Sequence, residues 1–220
     1  ALVIYLLELL DTKVKVRRDI SDIRVPFIGE IPVSTSDKKV VISKNDNSSI
    51  AEAFRLLRTN LDFILGVKDG NNGKAIFVTS TLGKEGKTFV ALNLATSIAI
   101  SGKKVLLIGM DFRAPKILKY LELKDKEGLT NYISGSVNDL DSLLLRSLFV
   151  EGLDILPSGT IPPNPAELLM NERVVELFEK MKLEYDYIVV DTAPVGMVSD
   201  TLLLNKFADA FLYVVRANVL

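Results

Sequence analysis

The sequence predicts an α/β protein built on a mostly parallel sheet covered on both faces. Two observations carry that reading. Five short apolar runs, at 75–78, 105–108, 153–156, 187–190 and 211–215, do not alternate with polar residues as half-exposed strands would. Stretches of helical spacing separate most of them, the arrangement that parallel strands with covering helices require.

The elements follow in order. Residues 1–7 are apolar or Tyr, Glu8 interrupts, and Lys13, Lys15, Arg17 and Arg18 come next. Seven residues cannot span a bilayer, which needs about 20. The segment reads either as the clipped end of a transmembrane helix with its basic cytoplasmic flank, or as an amphipathic helix of the domain itself. The chain opens at Ala1 without Met, and its last apolar run nearly reaches Leu220. It is therefore expected to be truncated at both ends. A helical N-terminal arm and linker is expected over 1–47, with two prolines and a glycine between Ile23 and Pro32, and the main domain over 48–220. Ser48 or Ser49 can cap a helix whose apolar positions Ile50, Phe54, Leu57, Leu61 and Ile64 recur at helical spacing. After a turn at Gly70–Gly73 and the first strand, a second helix over 87–100 ends at Ser101-Gly102, where Gly suits the left-handed cap. Further helices are expected over 166–182 and roughly 198–207.

Composition narrows the chemistry. The chain has no His, Cys or Trp, which excludes Ser-His-Asp and Cys-His nucleophile systems, imidazole or thiolate metal sites, and disulfides. Lys+Arg number 27 against 28 Asp+Glu, so no basic field points to nucleic acid. Carboxylates, lysines, hydroxyls, backbone amides and a hard ion such as Mg²⁺ remain, a set suited to phosphate chemistry.

The strongest motif is Thr79-Ser80-Thr81-Leu82-Gly83-Lys84-Glu85-Gly86-Lys87-Thr88, between a predicted strand and a predicted helix. That is the context of a P-loop, although the first Gly of G-x-x-x-x-G-K-[ST] is Thr81 here. Successive amides from Gly83, Lys84, Glu85, Gly86, Lys87, Thr88 and Phe89 are expected to cradle the phosphates of ATP. Gly86 would let the backbone approach, and Lys87 would bring its charge from a solvent-facing helix start. The Thr88 hydroxyl can ligate Mg²⁺. Two strands end in carboxylates, Asp111 after the second and Asp191 after Tyr187-Ile188-Val189-Val190, at the sheet edge where ligands of open α/β sheets bind. Each Asp alone would read equally as a cap or turn residue. Together with the loop they form a Walker B-like arrangement, and the fold becomes a three-layer P-loop NTPase.

With these motifs in place, the chain resembles the bacterial tyrosine kinases of capsule and exopolysaccharide export systems over nearly its whole length. Thr79-Ser80 and Glu85-Gly86-Lys87-Thr88 match that family's deviant Walker A, T-S-x-x-P-x-E-G-K-[ST], with Gly83 at its Pro. Asp111 and Arg113 match the second Asp and the Arg of its D-x-D-x-R motif, whose first Asp is Gly109 here. Pro162-Pro163-Asn164-Pro165-Ala166-Glu167-Leu168-Leu169 resembles a family stretch leading into a helix. Glu52-x-x-Arg55-x-x-Arg58 matches E-x-x-R-x-x-R, through which members assemble rings. From the residues alone, the same stripe reads as a solvated helix face with pairs worth tenths of a kcal/mol. Partitioning and division ATPases share the fold but carry a signature Lys where this chain has Leu82.

The resemblance implies an autophosphorylating, ATP- and Mg-dependent protein-tyrosine kinase regulating polysaccharide polymerisation and export at the cytoplasmic face of the bacterial inner membrane. Lys87, Asp111 and Asp191 would be its catalytic residues, and Thr88, Asp111 and Asp191 its metal ligands. Its partners would be itself, a membrane-anchored activator segment, separate or fused upstream, and the export machinery. Two other readings stay open: an ATPase switch, and a nucleotide-stabilised ring scaffold without kinase turnover. The six Tyr residues, at 5, 120, 132, 185, 187 and 213, form no C-terminal cluster, and Tyr185 and Tyr187 flank a buried strand as structural residues would.

Overall fold

A computed structural model describes residues 13–34, 39–66, 72–146 and 148–219. Among these, six strands form one sheet: β1 (Lys74–Ser80), β2 (Val105–Gly109), β3 (Leu145–Arg146), β4 (Leu153–Leu156), β5 (Tyr187–Asp191) and β6 (Ala210–Val214). Their order is β3-β4-β2-β5-β1-β6, parallel except where β3 runs antiparallel to β4. The five expected strands are all present. The two-residue β3 is too short to leave a pattern in the sequence.

Alternation along the strands divides the core between two faces. Ile76, Val78, Leu107 and Val189 face α1 (Ser49–Leu65) and α2 (Lys87–Ile100), where Phe54, Leu57, Leu61, Leu92 and Leu94 are buried. Phe77, Leu106, Ile108, Ile188 and Val190 face the opposite side with Val174, Leu177 and Phe178. Those last three belong to α6 (Glu172–Glu184), which follows three short helices: α3 (Ile117–Tyr120), α4 (Leu129–Ile133) and α5 (Pro165–Leu169). The Ser48 side chain caps α1 by accepting the Ala51 N–H, 3.3 Å. Gly102, at φ +87°, closes α2 as its left-handed cap.

Three expected helices differ. The stretch 166–182 splits into α5 and α6 because Asn171 takes the Arg173 N–H with its side chain (2.9 Å) and starts a new helix. The stretch 198–207 holds only α7 (Asp200–Leu203) and a 3₁₀ turn, Asn205–Phe207. The apolar start of the N-terminal arm, residues 1–12, lies outside the described residues, as does Gly70 of the expected turn. Among the arm's described residues the only helix is one 3₁₀ turn, Arg17–Ile20. The expected linker part of the arm forms a strap. Ile28, Ile31, Val40 and Val41 pack against the α1–α2 side of the core. Asn93 of α2 ties the strap down, accepting the Val41 N–H (2.9 Å) and donating to the Lys39 carbonyl (2.8 Å). Among the described residues no helix is long and apolar enough to cross a membrane.

Candidate active site

Strand order explains why the motifs meet. β5 lies between β1 and β2, with Asp191 in register with Val78 on one side and Gly109 on the other. The turns leaving β1 and β2 therefore flank the carboxylate that ends β5.

The loop from Thr81 to Gly86 wraps the start of α2. Gly86 has φ +102°, and a Cβ there would meet nothing within 4 Å, so the backbone faces open space. Lys84 also has a left-handed φ, +69°, unusual for a residue with a side chain. Its carbonyl accepts from the Arg216 guanidinium at 3.0 Å. Glu85 is buried, and its carboxylate accepts the Leu82 N–H at 2.6 Å and the Arg216 N–H at 3.4 Å. Of the expected phosphate-binding set, Glu85 thus spends its side chain on bracing the loop. Phe89 spends its ring on the core, tilted against Phe54 with centroids 6.0 Å apart. What both can offer a ligand is backbone N–H: Glu85 from the loop just before the Gly86 cap, and Phe89 from the first turn of α2, which lacks intrahelical partners for its N–H groups.

Lys87 departs from expectation. It is 3% exposed rather than solvent-facing, because the first turn of α2 lies over the carboxyl edge of the sheet. Burial lowers its pKa, and the carboxylates of Asp191 and Asp111 oppose that shift. The Thr88 hydroxyl donates to Asp191 Oδ2 at 2.7 Å. Asp191 Oδ1 is buried with no hydrogen-bond partner among the described residues. Burial raises the Asp191 pKa to about 7, against the Thr88 hydrogen bond and the nearby Lys87 charge. Asp111 is 6% exposed and accepts the Ala114 N–H at 3.0 Å, which folds its loop into a turn. At Gly109 a Cβ would sit 2.5 Å from Ser158 Oγ and 3.2 Å from Ile117 Cδ1, so the space for a side chain is already taken.

This donor set fits a hard cation. An orphaned carboxylate oxygen beside a hydroxyl, with a second carboxylate near, is oxygen-only chemistry. Among the described residues no three acidic side chains converge as a cage. Mg²⁺ sites commonly use one or two carboxylates and take other ligands from water and substrate phosphates. Lys87, Thr88 and the backbone amides at Gly86 suit the phosphates themselves.

Residues 73–218 match the AAA domain family. The chain is 33% identical to a putative tyrosine-protein kinase in the cps region of Klebsiella pneumoniae, over 94% of this chain and 30% of that protein. The kinase domain of Escherichia coli tyrosine kinase ETK superposes with a TM-score of 0.78 at 31% identity, covering 89% of this chain and 80% of that one. The tyrosine-protein kinase CpsD of Streptococcus agalactiae is 36% identical over 76% of this chain and 69% of its own length. The chain belongs to the bacterial tyrosine-kinase family.

As a bacterial tyrosine-kinase domain, the chain spans less than a third of the length of the Klebsiella relative. Its E-x-x-R-x-x-R helix is occupied within the chain. Arg55 pairs with Glu52 at 2.9 Å and reaches the Asp46 carbonyl, while Arg58 donates to the Ser97 carbonyl of α2 at 2.8 Å. Tyr185 and Tyr187 are structural as expected: their hydroxyls donate to Asp154 and Asp62, and burial raises both pKa values. The sequence reading missed Arg216, the loop's brace, because nothing in a strand-following Arg marks a partner 132 positions away.

Proposed function

We propose that this domain is an ATP- and Mg²⁺-dependent, autophosphorylating protein-tyrosine kinase that regulates capsule or exopolysaccharide production and export. The observation that carries the reading is the Thr88–Asp191 hydrogen bond, with the orphaned Asp191 Oδ1 beside buried Lys87. The named kinases among its relatives support the choice of a protein acceptor.

The loop amides and Lys87 would bind and orient the β- and γ-phosphates, and Thr88, Asp191 and Asp111 would hold the ion. Mg²⁺, when bound, would supply charge neutralisation on the phosphate oxygens. Asp111 would orient or accept the proton of the substrate tyrosine. Burial of Lys87 and Asp191 keeps water from screening these charges, so most of the work is positioning and electrostatics. Incubating the protein with ATP and Mg²⁺ should give phosphotyrosine on itself or on added tyrosine peptide. Phosphate release alone would instead indicate an ATPase switch, and neither product a scaffold.

In the whole protein we place the domain at the inner face of the membrane, beside an anchored activator segment and the export machinery, assembled as a ring. Glu52 has an exposed carboxylate and Arg55 a partly exposed guanidinium, so both can exchange their present pairing for a neighbouring copy's. Replacing Glu52, Arg55 and Arg58 together by Ala should shift unphosphorylated protein toward monomer with nucleotide affinity nearly unchanged. Light scattering decides: an oligomer mass equal to that of the unaltered protein would return these residues to a solvated helix face.

A further inference from the structure

Arg113 and Asp200 form a two-point ion pair, Nε to Oδ2 at 2.7 Å and Nη2 to Oδ1 at 3.1 Å. The Asp200 side chain is 5% exposed, which makes this a built contact rather than a surface encounter. Its place in the fold is specific. Arg113 lies two residues beyond Asp111, on the loop leaving β2. Asp200 opens α7, at the far end of the loop leaving β5, which starts after Asp191. A second tie secures the same helix: the Thr201 hydroxyl donates to the Ala193 carbonyl at 2.7 Å, and Thr79, at the end of β1, donates to that carbonyl at 3.1 Å. A third joins the loops at their roots, Met110 N–H to the Asp191 carbonyl at 2.8 Å. The three strand ends that contribute to the site are thus linked directly at the roots of β2 and β5 and, farther out, through the first turn of α7.

We infer that Arg113 and Asp200 are positioning residues: their ion pair sets the separation of the Asp111 and Asp191 carboxylates, and so the quality of the cation site between them. The inference rests on the nucleotide-site reading above. The bidentate fork is what the role requires, since two parallel bonds fix orientation as well as distance, which a Lys at 113 could not do. Partners that orient metal-binding groups in this way typically change metal affinity by about 10–100-fold when removed.

The test compares ADP binding with and without Mg²⁺ by calorimetry, in the unaltered chain, in Arg113→Gln, and in Arg113→Gln/Asp200→Asn. The double variant removes both charges, so it folds without a stranded buried carboxylate. The expected result is that the gain in ADP affinity on adding Mg²⁺ falls about tenfold or more in both variants, while Mg-free ADP affinity stays within about threefold. Amide exchange at Ala114, whose N–H is held by Asp111, should also quicken in the nucleotide-free double variant. A purely structural pair would lower the melting temperature and leave the Mg²⁺-linked gain intact. That outcome in the double variant overturns the inference alone. Failure of the unaltered chain to bind ADP more tightly with Mg²⁺ overturns the site reading, and this inference with it.

Discussion

Lys87→Met is expected to abolish phosphotyrosine formation while the domain keeps its fold. The ammonium is buried beside Asp191 and Asp111, where little water screens its charge. Losing one preorganised charge of this kind typically costs about 10²–10³ in rate, and here the same group would also hold the nucleotide in place. Met retains most of the volume and avoids the cost of desolvating an ammonium, so the helix start should pack as before. Anti-phosphotyrosine detection alongside a thermal melt provides the check. Phosphotyrosine at the level of the unaltered protein would remove Lys87 from the mechanism.

Asp191→Asn should lower Mg²⁺-dependent turnover by about 10²–10³, because the oxygen that lacks a partner loses its charge. A second consequence is independent of turnover. In the nucleotide-free and metal-free protein, burial holds the Asp191 pKa at about 7, whereas an unfolded Asp titrates near 3.9. Between those values the folded state binds more protons than the unfolded state. Stability contributed by this group is therefore greatest below about pH 4, falls as pH rises toward 7, and levels off above it. Asp191→Asn should flatten that part of the curve. Urea unfolding at several pH values between 4 and 8 measures it, and identical profiles for the two proteins would show that folding leaves the Asp191 titration unshifted.

Much of this was legible in the residues. β1, β2 and β5 announced themselves because they are buried on both faces and so are dominated by apolar residues, whereas β4 carries Asp154 and β6 leaves Phe211 and Tyr213 exposed. The strand–loop–helix passage from Ser80 to Lys87 was legible because Gly and short polar residues there separate an apolar run from a helical pattern. The burial of Lys87 was not, since it depends on α2 lying over an edge formed by strands distant in sequence. The split at Asn171 turns on whether one side chain bonds to its own backbone, a local contest that apolar spacing does not register. The strap reads in the sequence only as a linker, because anchoring residues such as Asn93 lie far along the chain. Arg113 was visible as a motif letter, but its partner Asp200 had no signature.

The brace at Arg216 bears on how short a working version of this domain can be. Its guanidinium and its backbone N–H both hold the loop between β1 and α2, through the Lys84 carbonyl and the Glu85 carboxylate. Among the described residues the last strand ends at Val214, so a protein trimmed there would keep every one of these strands. It would nevertheless lose both clasps on a loop whose Lys84 sits at φ +69°. The shortest chain that keeps every described strand and the shortest that keeps this loop braced therefore end at different residues, and the second is the longer.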